Sequence, residues 1–299
     1  MTTAQAYFEF KNRLKSIYDD REAANISDWV FENVTGLKQW ERRLNQNTEL
    51  TQSQSDQIEK YLLELMQHAP VQYVLNEAWF YKMNFYVNEN VLIPRPETEE
   101  LVEWIVNDIE DRNISNLLPD TSYLIPKIID IGTGSGCIAV SLKKQMTNAL
   151  VSAIDVSEKA LSVAKRNAEM LDAAIDFSQI DFLKEDSWDS LLDFDIIVSN
   201  PPYIPIREKE ILAKNVRDFE PGIALFVEDN NPYIFYEKIA KFAQTHLKEN
   251  GRIFVEVHEE YANNVKAIFE NAGFISGIKK DIYGKERMIN AVKPAISYR

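Results

Sequence analysis

The sequence predicts an α/β protein in which a mostly parallel sheet, covered by helices, follows a small helical domain. From residue 127 onward, apolar runs typical of buried strands alternate with segments of helical periodicity. Several of these runs end at an acidic residue or an asparagine, and one leads into a glycine-rich turn. The first 75 residues instead show apolar side chains at helical spacing.

The composition is that of a globular protein with one large and one small domain. Its 299 residues are 45% hydrophobic, and 33 Lys and Arg against 47 Asp and Glu give a formal net charge of −14. This balance disfavours a general DNA- or RNA-binding surface, because such surfaces need basic stripes. Cys137 is the single cysteine, which excludes an intrachain disulfide framework. No run is apolar enough to span a membrane and no signal peptide is visible, so we expect a cytoplasmic protein.

Residues 1–75 are predicted to form the helical domain. Apolar positions recur at helical spacing in three segments, and Thr51 with Gln54 forms a capping box before the third. The segment carries no pattern typical of catalysis. Its pattern fits internal packing as well as partner recognition, and our domain prediction assigns it to substrate recognition.

Residues 76–96 are predicted to form a β-hairpin that links the two domains. The run 78–87 is aromatic and β-prone, the Asn-Glu-Asn sequence at 88–90 is turn-like, and 91–93 is apolar again. The second domain then occupies residues 97–299.

A helix is predicted to begin at Pro96. Proline suits the first turn of a helix, and the acidic Glu97 and Glu99 suit its positive end. Arg95 stands between two prolines, which a helix cap does not explain. We therefore expect Arg95 to reach toward a functional site.

The glycine-rich turn at residues 132–136 is the first candidate binding element. It follows the apolar run 127–131 and precedes a helix, an arrangement that lets backbone amides approach a ligand closely. A dinucleotide site uses G-x-G-x-x-G, whereas here the third glycine comes one residue early. The G-x-G-x-G spacing behind an acid is typical of S-adenosylmethionine sites. Asp130 is then expected to bind the methionine ammonium directly or through water.

The next two predicted strands also end in acidic residues. Asp155 follows the strand 150–154 and is placed for two ribose hydroxyls; its alternative role is to cap the next helix, which Ser157 can do instead. The strand 175–180 ends at Asp181 and Phe182. Asp181 can accept a hydrogen bond from the adenine amino group, and Phe182 can cover the adenine ring. Acids at successive strand ends favour a cofactor site over ordinary surface.

The sequence Asn-Pro-Pro-Tyr at residues 200–203 follows the apolar run 194–199. Prolines cannot continue a strand, so the segment is a stiff turn at a strand end. The alternative interpretation is that it is only such a turn and has no chemical role. A planar NH2 group offers two donors, which the Asn200 side chain and the Pro201 carbonyl can accept while Tyr203 stacks on the group. Such acceptors orient a weakly nucleophilic nitrogen toward a methyl donor.

The rest of the chain completes the predicted sheet. Residues 204–231 form a long connection, either a lid or a solvated helix. The remaining predicted elements are helix 232–248, strand 251–257, helix 259–272 and strands near 275–282 and 287–293, the last strand being antiparallel. The three histidines show no metal-ligand spacing, so no metal is expected.

Four motifs occur in an order that is typical of one protein family. They are Pro-Arg-Pro-Glu-Thr-Glu at 94–99, the turn 132–136, Asn-Pro-Pro-Tyr at 200–203, and Phe-Glu-Pro at 219–221. Over nearly its whole length the chain resembles the release factor glutamine methyltransferases, the PrmC/HemK family. The resemblance implies a Rossmann-like class I methyltransferase fold. It also implies methyl transfer from S-adenosylmethionine to the glutamine amide in the Gly-Gly-Gln loop of peptide chain release factors.

The resemblance and the strand-end pattern together define the expected site. Cofactor contacts are expected from Asp130, Gly132, Thr133, Gly134, Ser135, Gly136, Asp155, Asp181, Phe182 and Asn200. Catalytic and substrate contacts are expected from Asn200, Pro201, Pro202 and Tyr203, with Arg95 and Glu97 also on the substrate side.

Two alternative functions stay open at this point. Asn-Pro-Pro-Tyr is shared with adenine-N6 methyltransferases, so DNA or RNA is the alternative substrate. A cofactor-binding scaffold without turnover is the alternative from another class of protein, which the intact motif disfavours. The chain also departs from the family after Phe226, where residues 227–232 replace a turn that is often glycine-rich and acidic.

Overall fold

The structure is a computed structural model that describes residues 1–115 and 125–295, and only the backbone of residues 112–115. The chain divides into two compact units. One comprises Met1–Glu77 together with Ala213–Phe219, and the other comprises Ala78–Leu212 together with the chain from Glu220 onward. No described helix is both long enough and apolar enough to cross a membrane.

The elements come in the order expected for a helical segment followed by an α/β segment. The α-helices are α1 (Thr3–Leu14), α2 (Asp20–Thr35), α3 (Gln39–Leu44), α4 (Gln52–Leu65), α5 (Val71–Leu75), α6 (Pro96–Ser115), α7 (Cys137–Gln145), α8 (Glu158–Met170), α9 (Lys214–Arg217), α10 (Gly222–Leu225), α11 (Ile234–His246) and α12 (Ala262–Asn271). The strands are β1 (Ala78–Phe80), β2 (Met83–Phe85), β3 (Lys127–Ile131), β4 (Leu150–Asp155), β5 (Asp176–Gln179), β6 (Phe194–Ser199), β7 (Ile204–Pro205), β8 (Phe226–Val227), β9 (Leu247–Glu256), β10 (Ile275–Lys280) and β11 (Glu286–Val292). Short 3-10 helices span Glu185–Ser190, Ile206–Ile211 and Glu259–Tyr261.

The helical unit is built by α1–α5, and α9 belongs to it as well. Its core holds fully buried apolar side chains such as Phe10, Val30, Phe31 and Leu62. The predicted capping box is confirmed, since the backbone N–H of Gln54 donates to Thr51 Oγ1 over 3.2 Å at the start of α4. Amphipathic helices with a shared apolar face explain why these residues form a bundle.

The α/β unit contains a seven-stranded sheet in the order β10-β11-β9-β6-β3-β4-β5. As predicted, β11 is antiparallel to both of its neighbours, whereas β9, β6, β3, β4 and β5 pair in parallel. The neighbours β3 and β6 are not consecutive along the chain, so strand order reverses between them. Open α/β sheets bind ligands at such a point, outside the carboxyl ends of the strands.

Both faces of this sheet are covered by helices. Neighbouring strand residues point to opposite faces, and accordingly Ile129 and Ile197 join one buried cluster while Ile128 and Ile196 join the other. The first cluster includes side chains of α11 and α12, and the second includes side chains of α6, α7 and α8. Burial on both sides explains the continuous apolar runs of the central strands.

The hairpin lies earlier than the sequence predicts. β1 and β2 pair around a two-residue turn at Tyr81 and Lys82, whose φ angles are 47° and 63°. Two positive φ angles match the twist that a two-residue hairpin needs, so the aromatic run closes on itself. Asn88 does form a turn with Asn90, but residues 91–93 form no strand.

For the connection 204–231 the sequence allowed either a lid or a solvated helix, and the structure shows that it is not a single helix. β7 and β8 form a small parallel pair at its two ends. Between them lie the 3-10 helix Ile206–Ile211, α9 and α10. The connection therefore has secondary structure of its own.

Candidate active site

A cavity of about 300 Å³ opens at the carboxyl ends of the central strands in the α/β unit. It lies where strand order reverses, as expected for a doubly wound sheet. Most of the predicted site residues line it. They are Arg95, Gly132, Thr133, Gly134, Ser135, Asp155, Asp181, Phe182, Asn200, Pro201 and Pro202. Four predicted residues are not on its wall: Glu97, Asp130, Gly136 and Tyr203.

The glycine turn has the conformation that its sequence predicts. Gly132, Gly134 and Gly136 have φ angles of 73°, 55° and 80°. A Cβ atom added at Gly132 or Gly134 would meet nothing within 4 Å, so the backbone there is open to a ligand. At Gly136, an added Cβ would lie 3.1 Å from the Ala164 Cβ. Gly136 therefore permits close packing of α7 on α8 and is not part of the cavity wall.

Asp130 lies beneath this turn and is fully buried. The Thr133 hydroxyl donates to its Oδ2 over 2.7 Å, while Oδ1 makes no hydrogen bond of normal geometry within the described chain. Burial raises the pKa of Asp130 to about 7, although the Thr133 hydroxyl and the Ala139 amide oppose this rise. An unsatisfied buried carboxylate oxygen is suited to a cation, but the structure places it behind the wall of the cavity.

Asp155 joins the end of β4 to the glycine turn. Its Oδ2 accepts from the Gly134 amide and its Oδ1 from the Ser157 amide, both over 2.9 Å. The cap of α8 belongs to Ser157, whose Oγ accepts from the Ala160 amide, so the capping alternative for Asp155 is wrong. Burial raises the pKa of Asp155. The carboxylate thus lines the cavity and holds two of its loops together.

Phe182 and Asp181 form another part of the wall. The Phe182 ring is buried against Trp188, with ring centroids 5.3 Å apart, and the Trp188 indole N–H donates to the Phe182 carbonyl over 3.0 Å. Asp181 accepts from the Leu183 amide and pairs with Lys184 at 3.1 Å. A fixed ring and a partly exposed carboxylate therefore stand side by side on the wall, and their roles toward adenine stay predictions.

Asn200 stands at the cavity immediately after β6. Its Nδ2 donates to Thr98 Oγ1 over 3.1 Å, and the Thr98 hydroxyl donates to Glu256 Oε2 over 2.7 Å. Within the described ranges, Oδ1 of Asn200 accepts no hydrogen bond. The side-chain amide is thereby held with a free acceptor at the cavity.

Tyr203, which the sequence predicts to stack on the substrate group, does not line the cavity. Its hydroxyl donates to Glu256 Oε1 over 3.2 Å, and its ring meets His258 edge-on at a centroid distance of 6.1 Å. Burial is the main cause that raises the pKa of Tyr203, and the Glu256 charge adds to it. A buried carboxylate needs donors, and Tyr203 supplies one at the expense of contact with the cavity.

Arg95 lines the cavity but is already paired. Its Nη2 donates to Glu220 Oε1 over 2.6 Å, and Glu220 Oε2 accepts from the Ile93 amide. Burial raises the pKa of Glu220, and the nearby Arg95 guanidinium opposes that rise. Glu97 lies off the wall, and its charge contributes to a raised pKa of Glu256.

Thr98 and Glu256 are the residues that sequence reasoning missed. Thr98 lies in the segment 94–99 that carries the resemblance, and Glu256 is one more acid at a strand end. An acidic residue at the end of a predicted strand is the same signal that identified Asp155. Among the described residues, no group of His, Cys, Asp and Glu side chains is arranged to hold a metal.

The fold and the site together define a class I methyltransferase. The features that do so are the strand order of the sheet and, around one cavity, the glycine turn, the acids at strand ends and the Asn-Pro-Pro turn. Residues 113–219 match the family model of the methyltransferase small domain, and residues 5–75 match that of the PrmC N-terminal domain. The chain belongs to the release factor glutamine methyltransferase family, as the following relatives show.

The release factor glutamine methyltransferase of Flavobacterium psychrophilum is 43% identical over 94% of this chain and 95% of its own length. That of Bacteroides thetaiotaomicron is 35% identical over 94% of this chain and 96% of its own length. The crystal structure of a methyltransferase from Pyrococcus furiosus covers 82% of this chain and 100% of its own, with a TM-score of 0.50. At 18% identity, the last likeness shows the fold alone.

Proposed function

We propose that this chain transfers a methyl group from S-adenosylmethionine to a glutamine side-chain amide in the Gly-Gly-Gln loop of peptide chain release factors. The observation that carries the proposal is the Asn200 amide, held by Thr98 at the cavity with Oδ1 free to accept. The names of the relatives, release factor glutamine methyltransferase, support the same substrate.

The residues present fit S-adenosylmethionine. Gly132 and Gly134 leave open backbone at the turn, and the cavity of about 300 Å³ has the size of a small-ligand site. Asp155 suits ribose hydroxyls and Asp181 with Phe182 suits adenine, and all three line the cavity. Asp130 lies behind the wall, so its unsatisfied Oδ1 suits the methionine ammonium through water. When bound, the cofactor supplies an electrophilic methyl group.

The chain itself orients the nucleophile. An amide nitrogen attacks poorly because its lone pair is delocalised, so it must be held in line and its developing positive charge must be stabilised. The Asn200 Oδ1 and the Pro201 carbonyl are the acceptors for its two N–H groups. No strong general base is needed, since the alkylated nitrogen is acidic and water or a carbonyl can take its proton.

The helical unit is the proposed surface for the protein substrate. We assign residues 1–75 to substrate recognition, residues 76–96 to the linking segment and residues 97–299 to methyl transfer. Large exposed apolar side chains on the helical unit support this assignment. They are Phe8, Trp40, Leu44 and Leu63.

The alternative substrate is adenine in DNA or RNA, which also presents a planar NH2 group. The net charge of −14 disfavours it, because nucleic-acid affinity rests mainly on phosphate neutralisation by Lys and Arg. An assay with labelled cofactor separates the two. We expect label in a release factor and not in DNA or RNA offered at the same concentration. Efficient labelling of nucleic acid, with the release factor unlabelled, would overturn the proposal.

A further inference from the structure

Four side chains from separate parts of the α/β unit form one chain of hydrogen bonds that begins at the cavity wall and continues behind it. Asn200 Nδ2 donates to Thr98 Oγ1, the Thr98 hydroxyl donates to Glu256 Oε2, and the Tyr203 hydroxyl donates to Glu256 Oε1. The distances are 3.1, 2.7 and 3.2 Å. Asn200 and Tyr203 flank the two prolines, Thr98 lies in the first turn of α6, and Glu256 is the last residue of β9.

The direction of these hydrogen bonds follows from the chemistry of Glu256, which accepts from both hydroxyls. An ionised carboxylate can only accept hydrogen bonds, so both hydroxyls must point their protons at Glu256. The single proton of Thr98 is then used, and toward Asn200 its Oγ1 offers only a lone pair. Among the atoms of the Asn200 amide, only Nδ2 can bond to that lone pair.

Burial strengthens the preference of the Asn200 amide for this direction. Thr98 and Glu256 are each 2% exposed, so water does not compete for their hydrogen bonds. A reversed Asn200 amide would face Thr98 with its oxygen and would present two N–H donors to the cavity. Those donors would meet the N–H donors of a substrate amide, and orientation of the nucleophile would be lost.

We propose that Thr98 and Glu256 are positioning residues that fix the direction of the Asn200 amide, so that Oδ1 faces the reacting nitrogen. The inference rests on the proposed glutamine methylation. It adds Thr98, which lines the cavity beside Asn200, and Glu256, which lies behind the wall. It predicts that the two residues act on turnover through Asn200 and leave cofactor affinity unchanged.

The Thr98→Val variant keeps the shape of the side chain and removes its hydroxyl. We expect kcat on a release factor to fall about tenfold to a hundredfold, the usual cost of losing an outer partner that orients a functional side chain. The cofactor Kd, measured by calorimetry, is expected to stay within about twofold, a margin well below the tenfold change that 1.4 kcal/mol produces. The matched Thr98→Ser variant keeps the hydroxyl and is expected to recover most of the lost turnover.

The Glu256→Gln variant tests direction separately and is the second probe if Thr98→Val folds poorly. Its amide nitrogen can donate to Thr98 while its oxygen still accepts from Tyr203. The hydrogen bonds on both sides of Thr98 can then reverse, and the Thr98 proton can turn toward Asn200. We expect kcat to fall although every hydrogen bond can still be made. An unchanged kcat in this variant would contradict the proposal.

A double-mutant cycle identifies the residue through which Thr98 acts. In an Asn200→Ala background, Thr98→Val is expected to cause little further loss, because the side chain it positions is gone. Equal losses in both backgrounds, or normal turnover of Thr98→Val, would overturn the positioning role while leaving glutamine methylation intact. Absence of methylation by the unaltered protein would overturn the proposed function and this inference together.

Discussion

Asn200 is the residue on which the proposed chemistry depends most directly. It stands where β6 ends, and its amide connects the cavity to the buried carboxylate of Glu256 through Thr98. Its position was predictable, because an apolar run followed by two prolines must end a strand. Its hydrogen-bond partner was not predictable, because Thr98 lies 102 positions earlier, on α6, and only the packing of α6 against the sheet brings the two together.

The Asn200→Ala variant removes one acceptor for the reacting nitrogen. Loss of one preorganised contact of this kind typically lowers the rate by about 10²–10³. Single-turnover kinetics should show this loss, while cofactor affinity measured by calorimetry should change far less. A near-normal single-turnover rate would mean that another group orients the nitrogen.

Asp155 is expected to contribute to cofactor affinity. Asp155→Ala should weaken binding by about 1.5–3 kcal/mol if the carboxylate makes charge-assisted bonds to ribose hydroxyls. The matched control is Asp19→Ala, which removes the side-chain cap of α2 in the helical unit and should lower the free energy of unfolding by about 1 kcal/mol with affinity retained. Unchanged affinity of the Asp155 variant would restrict the residue to holding the Gly134 and Ser157 amides.

At the scale of elements, the central strands were predictable and the connections were not. The runs that became β3, β4 and β6 are buried on both faces, so their apolar character is continuous and visible. The hairpin turn at Tyr81 and Lys82 carries neither glycine nor proline, and so lacks a turn signal in the sequence.

The packing of α7 on α8 depends on Gly136. Gly136→Ala places a Cβ 3.1 Å from the Ala164 Cβ in a residue whose φ is 80°, and we expect a loss of about 1–3 kcal/mol in the free energy of unfolding. Chemical denaturation measures this loss. Adding Ala164→Gly should restore part of it, since the contact with the Ala164 Cβ is removed while the contact with its Cα at 3.2 Å and the strain at φ stay. Wild-type stability of the single variant would show that the helices can separate at no cost.

At the scale of the whole molecule, a buried carboxylate links activity to pH. Burial is the largest cause that raises the pKa of Glu256, and hydrogen bonds from Thr98 and Tyr203 oppose it. The ionisable groups around it are Glu97, Cys137, Tyr203, Tyr236 and Arg287.

A raised pKa means that Glu256 takes up a proton at higher pH than an ordinary glutamate. Once protonated, it can donate toward Thr98, and the direction of the Asn200 amide is no longer fixed. As pH falls through this pKa, kcat of the wild-type protein should therefore fall, and Glu256→Gln should lack this step. A pH profile of kcat measures both. The same acid limb in the two proteins would assign the step to another group.

The central claim is methylation of a glutamine side chain in a protein, and mass spectrometry of the substrate tests it most directly. A release factor is incubated with the protein and S-adenosylmethionine, digested, and the peptide with the Gly-Gly-Gln loop is fragmented. We predict one added methyl group on the side-chain nitrogen of that glutamine, with no addition in a Gln→Ala loop variant and a much slower addition by Asn200→Ala. An unmodified glutamine after full incubation with active cofactor, or a methyl group that persists in the Gln→Ala variant, would contradict the account.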